Sequence, residues 1–157
     1  MELTPIGIIH TPFQQIADMP VQPSGAQGIP GRIELRPELA EGLKDLDGFS
    51  HIIVLYHFHQ VSRVSLTVTP FLDPHPRGVF ATRAPTRPNP IGLSVLALKA
   101  IHGSTLEVEN VDMLDATPLL DIKPYVPEFD QRTEVRTGWL DNAKGRSLTA
   151  RSDQRFA

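Results

Sequence analysis

Short β-branched runs, separated by proline and glycine, set the pattern of this chain. Residues 6–10 form a strand-like run closed by Thr11-Pro12. Residues 14–31 carry Pro20, Pro23, Pro30, Gly25, Gly28 and Gly31 with little periodicity, the mark of a long loop of the functional or disordered kind. Residues 32–35 alternate like a half-buried strand. Pro37 suits the first position of a short helix through Leu46, with Leu39, Leu43 and Leu46 at helical spacing. Residues 50–58 are apolar on both faces, which predicts a central, buried strand. Residues 64–69 and 78–82 predict two further strands. Residues 93–101 and 105–111, joined across His102-Gly103-Ser104, predict a β-hairpin. Residues 119–122 predict a last strand, and 134–143 a short helix or strand. Seven or so short strands with one clear helix indicate a mainly-β sandwich or barrel and exclude the β-α alternation of a Rossmann sheet.

The length, 157 residues and 17.4 kDa, fits one domain, or one domain with a tail. The absence of cysteine excludes disulfides, thiolate metal sites and thiol nucleophiles. A net charge of −3 argues against a globally basic nucleic-acid binder, though not against a local basic patch. From residue 131 onward six basic and three acidic residues give +3, against −6 for the rest, which reads most simply as a solvated tail. No apolar run approaches the ~20 residues of a membrane span, and the opening Met1-Glu2-Leu3-Thr4 is unlike a signal peptide, so a cytoplasmic location is expected. The 15 prolines, about twice the usual ~5 %, are clustered.

Three constellations could carry chemistry. His51, His57 and His59 share one face of an unbroken strand, where two imidazoles can meet a metal ion. Acids flank this strand without interleaving, which favours pocket-lining or hydrogen-bonded histidines and no metal. Residues 78–92 hold Pro85, Pro88 and Pro90, which stiffen the backbone before any ligand arrives. Thr82, Arg83, Thr86, Arg87 and Asn89 in the same stretch are donors for carboxylate, phosphate or a base edge. Finally, Asp112, Asp115 and Asp121 surround a turn, and Asp121, Lys123 and Tyr125 point the same way on an extended chain. An acid, a cation and a phenol on one face serve proton transfer or bind a zwitterion; the plainer alternative is a surface Lys–Asp pair. The Ser-His-Asp order, a phosphate loop and HExxH are all missing.

The stretches GVFATRAPTRPNPIGLS (78–94) and DMLDATPLLDIKPYVP (112–127) resemble the two signatures of the TsaA-like, or TrmO, family. PIGIIHTP (5–12) and GFSHIIVLYHFH (48–59) support the resemblance, which covers roughly residues 4–130. It implies a small single-domain β-barrel with one or two short helices over residues 4–130, followed by a polar tail over 131–157. It further implies binding of S-adenosyl-L-methionine, a homodimer, and N6-methylation of threonylcarbamoyladenosine at position 37 of tRNA. Carried over position by position, Pro20, Val21, Gln22, His59, Gln60, Arg83, Leu93, Met113, Leu114, Asp115 and Ala116 are expected to line the cofactor pocket. Arg87 and Asn89 are expected at the substrate, and Asp121, Lys123 and Tyr125 at the transfer centre. The chain departs from the family pattern at Ala84, where serine is usual, at Ala116, where glycine is common, and at Val21, where several relatives carry arginine. Two other readings stay open: a methyltransferase for a small metabolite, and a module that binds the cofactor without catalysis.

Overall fold

A computed structural model describes residues 1–17, 19–20, 23–143, 151–153 and 155. Among the described residues there are eight strands: β1 (Gly7–His10), β2 (Pro30–Leu35), β3 (His51–His57), β4 (Thr67–Val68), β5 (Arg77–Gly78), β6 (Ile91–His102), β7 (Thr105–Glu109) and β8 (Thr117–Pro124). Six of them close an antiparallel barrel in the order β1-β2-β7-β6-β3-β8, while β4 and β5 pair as a separate ribbon. The expected mainly-β barrel is what forms.

Alternation decides the interior. Ile9, Ile33, Ile52, Val54, Leu96, Leu106 and Leu119 point inward and are almost fully buried, each contributing roughly 1.5–3 kcal/mol through removal from water. Twelve-residue β6 serves two partners. Its first half pairs with β3 and its second with β7, with a register shift between Leu98 and Ala100, a bulge of the kind that lets a long strand bend around a barrel. The predicted hairpin is β6–β7, and Gly103 takes φ 61° in its turn.

Several elements differ from expectation. β3 is not buried on both faces: Ile52, Val54 and Tyr56 face the core, and His51 and His57 stand exposed on the outer side, because a closed sheet presents only one face to its own interior. The strand stops at His57, so His59 lies beyond it in the following turn. The predicted helix of residues 37–46 is instead two 3-10 turns, Pro37–Leu43 and Leu46–Gly48. Asp45, at φ 67°, separates them and breaks any continuous α-helix. The predicted strand of residues 78–82 keeps only Gly78; Val79–Ala81 curls into a 3-10 turn. The strand expected over 64–69 shrinks to β4, since its partner is only two residues long. β8, by contrast, outgrows residues 119–122 because both β1 and β3 pair with it.

The described part of the tail is not merely solvated. Gly138–Ala143 forms a 3-10 turn, and the Trp139 indole N–H donates to the Ala81 carbonyl at 2.8 Å. Trp139, Leu140 and buried Ala143 are apolar islands in a polar segment, and they fold back onto the domain.

Candidate functional site

A cleft of about 900 Å³ opens where the end of β3, the start of β6 and the turn after β7 meet the proline-rich segment. This lies within the size range of small-molecule sites, roughly 300–1,000 Å³.

The proline-rich wall is built around Arg87. Its Nη1 donates to the carbonyls of Thr82 at 2.8 Å, Val79 at 3.2 Å and Ala84 at 3.3 Å. Gathering three carbonyls on one cation forces the local curl and explains why no strand continues past Gly78. Phe80 lies over the Arg87 guanidinium, 5.8 Å away, and is 75 % exposed. The Phe58 amide donates to Pro90 O at 2.8 Å, fastening this wall to β3. Arg83 stands at the cleft, and Asn89 does not line it.

The 112–117 turn forms the opposite wall. Thr11 Oγ1 donates to Met113 O at 2.8 Å and Thr117 Oγ1 to Leu114 O at 2.7 Å, setting Met113 and Leu114 against the cleft. The Asp115 carboxylate accepts from the Thr11 amide at 3.0 Å and from Gln14 Nε2 at 3.2 Å. The Thr11 amide, above all, holds its pKa below the ordinary value. Asp115 and Ala116 therefore shape the turn from behind and do not line the cleft. Ala116 adopts φ 60°, the left-handed conformation that suits glycine there.

The cleft floor is polar. Ser94 Oγ donates to Asp112 Oδ1 at 2.7 Å, and the Tyr56 hydroxyl lies 3.1 Å from Ser94 Oγ. Since the single Ser94 proton points to Asp112, Tyr56 is the donor to Ser94. Burial pushes the Asp112 carboxyl up to about 7, against the opposing pull of Ser94 and Arg83, and pushes the Tyr56 phenol far above its ordinary value. Burial also lowers the His59 imidazole, favouring its neutral form.

Of the residues that the sequence put forward, Pro20, His59, Gln60, Arg83, Arg87, Leu93, Met113 and Leu114 come together around the cleft. Val21 and Gln22 lie outside the described residues. Asp121, Lys123 and Tyr125 share one face, but it is the barrel's outer face. β8 carries one extra residue, Leu120, between the pairs Leu55–Asp121 and Tyr56–Leu119. This bulge turns Asp121 away from the side occupied by buried Leu119. Asp121 Oδ2 meets Lys123 Nζ at 2.7 Å in the open, and the Tyr125 ring stands edge-on to His51 at 6.4 Å. Leu55 separates Asp121 from Leu93 on the cleft wall, a gap of two strand spacings, about 10 Å. Among the described residues, no cluster of three acids or histidines is arranged to hold a metal.

Sequence reasoning passed over Tyr56, Ser94 and Trp139. Each left a signal: Tyr56 and Ser94 are polar groups at inward positions of otherwise apolar strands, and Trp139 is the single tryptophan, set in a polar tail.

The chain is 55 % identical over 152 residues to a probable S-adenosyl-L-methionine-binding protein of Pyrococcus abyssi, covering 97 % of this chain and 83 % of that one. It is 36 % identical over 140 residues to the human tRNA (adenine(37)-N6)-methyltransferase, covering 83 % of this chain but only 31 % of the relative. The crystal structure of TrmO from Pseudomonas aeruginosa superposes with a TM-score of 0.75 at 39 % identity, covering 88 % of this chain and 62 % of that one. Residues 8–131 match the model of the tRNA-methyltransferase O N-terminal domain. With most of its length matched by the family model and its fold superposing on the TrmO structure, the chain belongs to the tRNA-methyltransferase O N-terminal domain family.

Proposed function

We propose that this protein is an S-adenosyl-L-methionine-dependent methyltransferase acting on the N6 nitrogen of adenine in tRNA. The observation that carries the reading is the cleft itself, in a chain of this family. Arg83 stands at one side, Leu93, Met113 and Leu114 form an apolar wall, and there is room for a cofactor together with part of a substrate.

The donor set fits the cofactor. Arg83 suits its carboxylate, and the apolar wall suits its adenine and methionine chain. Pro20, His59 and Gln60 also line the cleft, with Asp115 and Ala116 holding the turn behind it. When bound, the cofactor supplies an activated methyl group. The chain's own task is to orient the acceptor nitrogen in line with that group, exclude water and remove a proton. The substrate is taken to be threonylcarbamoyladenosine at position 37, and the protein to work as a cytoplasmic homodimer, as the family resemblance implies. No helix among the described residues is long and apolar enough to cross a membrane.

Incubation with radiolabelled S-adenosyl-L-methionine and either total tRNA or a metabolite extract tests this reading. Label is expected in tRNA, and digestion of that tRNA is expected to place it on a modified adenosine. Label confined to small molecules, or binding without transfer, overturns it. Trp139 lines the cleft and is the single tryptophan, so its fluorescence reports cofactor binding directly. Arg83→Ala is expected to weaken that binding roughly 10- to 100-fold, the loss of a hydrogen bond to a charged group.

A further inference from the structure

Among the described residues the one acid lining the cleft is Asp112, and behind it runs a buried hydroxyl chain. Asp112 lines the cleft, receives Ser94 Oγ at 2.7 Å, and through Ser94 reaches the Tyr56 hydroxyl at 3.1 Å. Ser94 is 1 % exposed and Tyr56 4 %. This three-residue chain draws on β3, β6 and the turn after β7. Burying three polar side chains in a small barrel costs stability unless all are satisfied. Here they are satisfied in a line that ends at the cleft.

Resting on the methyl-transfer reading above, we infer that Asp112 accepts the proton of the acceptor nitrogen, with Ser94 and Tyr56 as positioning residues behind it. A proton leaves that nitrogen for an Asp112 carboxylate oxygen, its bonding pair staying on nitrogen, as the N–C bond forms and the sulfonium C–S bond breaks with its electron pair staying on sulfur. Asp112 begins as the carboxylate, ends as the acid, and afterwards releases the proton to water. The chain can follow this change. While Asp112 is ionised, Tyr56 donates to Ser94 and Ser94 to Asp112. Once it is protonated, both hydroxyls can rotate and reverse the direction without moving a heavy atom.

Asp121 is less suited to the task. It is 42 % exposed, paired with Lys123 in water, and set on the outer face. Asp112 lies at the cleft, where burial lifts its carboxyl to about 7, close to the range in which a general base works best. Among the described residues, the charged and titratable groups that bear on it are Arg83, from the proline-rich segment, and Tyr56 of β3; Ser94 of β6 is the neutral bridge. Arg83 favours the carboxylate, and Tyr56 stays protonated throughout.

Four results decide the matter. In methyl transfer to tRNA, the wild-type kcat is expected to rise with pH through neutrality. Asp112→Asn is expected to lose at least ~100-fold in kcat while Trp139 fluorescence shows cofactor binding retained. Ser94→Ala removes a hydrogen bond that favours the carboxylate, so the acid limb of its rate profile is expected at higher pH. Independently of turnover, carbon-13 NMR of aspartate carboxyls in the unliganded protein is expected to show one signal titrating near neutrality, absent from Asp112→Asn. Wild-type rates and pH profile in Asp112→Asn overturn the inference. So does loss of cofactor binding in that variant, an acid limb unmoved by Ser94→Ala, or a spectrum with no carboxyl titrating near neutrality. A wild-type protein that labels no tRNA overturns the underlying reading, and the inference with it.

Discussion

At the scale of single residues, the site depends on positions where one atom is decisive. Gly92 pairs with Tyr56 across the β3–β6 ladder. A Cβ on Gly92 would stand 2.2 Å from Tyr56 Cε2 and 2.4 Å from Cζ. The ring has little freedom to yield: it is buried, T-stacked on Phe58 at 5.4 Å, and hydrogen-bonded through its hydroxyl. Gly92→Ala is therefore expected to cost about 1–3 kcal/mol through overpacking, read as a lower urea midpoint with an unchanged slope. Ala116 shows the opposite mismatch. Its φ of 60° costs an L-residue ~1–2 kcal/mol, and the sequence had marked this position because glycine is common there in the family.

At the scale of elements, the 70–78 segment relies on one carboxylate. Asp73 Oδ1 accepts from the His75 amide and from its Nδ1, each at 2.8 Å, and Oδ2 accepts from Arg77 Nε at 3.1 Å. The same Arg77 guanidinium lies over the Trp139 ring at 5.8 Å, so this ring of contacts carries a wall of the cleft. The His75 amide first, then Arg77, lower the Asp73 pKa from 3.8 to about 2. Its depressed folded value means that stabilisation is present above the unfolded pKa and is lost as pH falls from about 4 to about 2. Asp73→Asn is expected to flatten the stability curve across that window. Trp139 emission is expected to shift in the variant at neutral pH in the same direction as that expected of the wild type on acidification.

How much of this was legible depended on the range of the cause. The β6–β7 hairpin and β1 follow from local alternation and turn chemistry, and both are present. The 3-10 curl at Val79–Ala81 answers to Arg87, eight residues from Val79. The outward turn of Asp121 answers to a bulge set by β3. Neither is visible in a window of local pattern. The Arg83, His59 and Met113-Leu114 part of the cleft was reached through family motifs, and the Tyr56–Ser94–Asp112 chain was not.

At the scale of the whole molecule, the cleft is maintained at a cost. An acid whose folded pKa is raised from 3.8 to about 7 binds more protons folded than unfolded between those values. Stability therefore falls as pH rises across that interval. Asp112→Asn removes the penalty and is expected to raise the thermal midpoint at pH 8 relative to wild type, with a smaller difference at pH 4. Equal shifts at both values would show that Asp112 is not held protonated by the fold.

The sequence by itself determined what lies within a few residues: short alternating strands, a stiff proline-bearing loop, a hairpin, and the motifs that mark the family. These follow from backbone sterics and side-chain period, which act locally. Only the tertiary structure decided which faces meet. Closing β8 between β1 and β3, with its bulge at Leu120, carried Asp121 and Lys123 to the outer surface. Closure also joined Tyr56 to Ser94 across 38 positions and Ser94 to Asp112 across 18. Register between distant strands is fixed by burying the whole apolar set at once. For that reason no single segment announces which of its acids will end at the floor of the cleft.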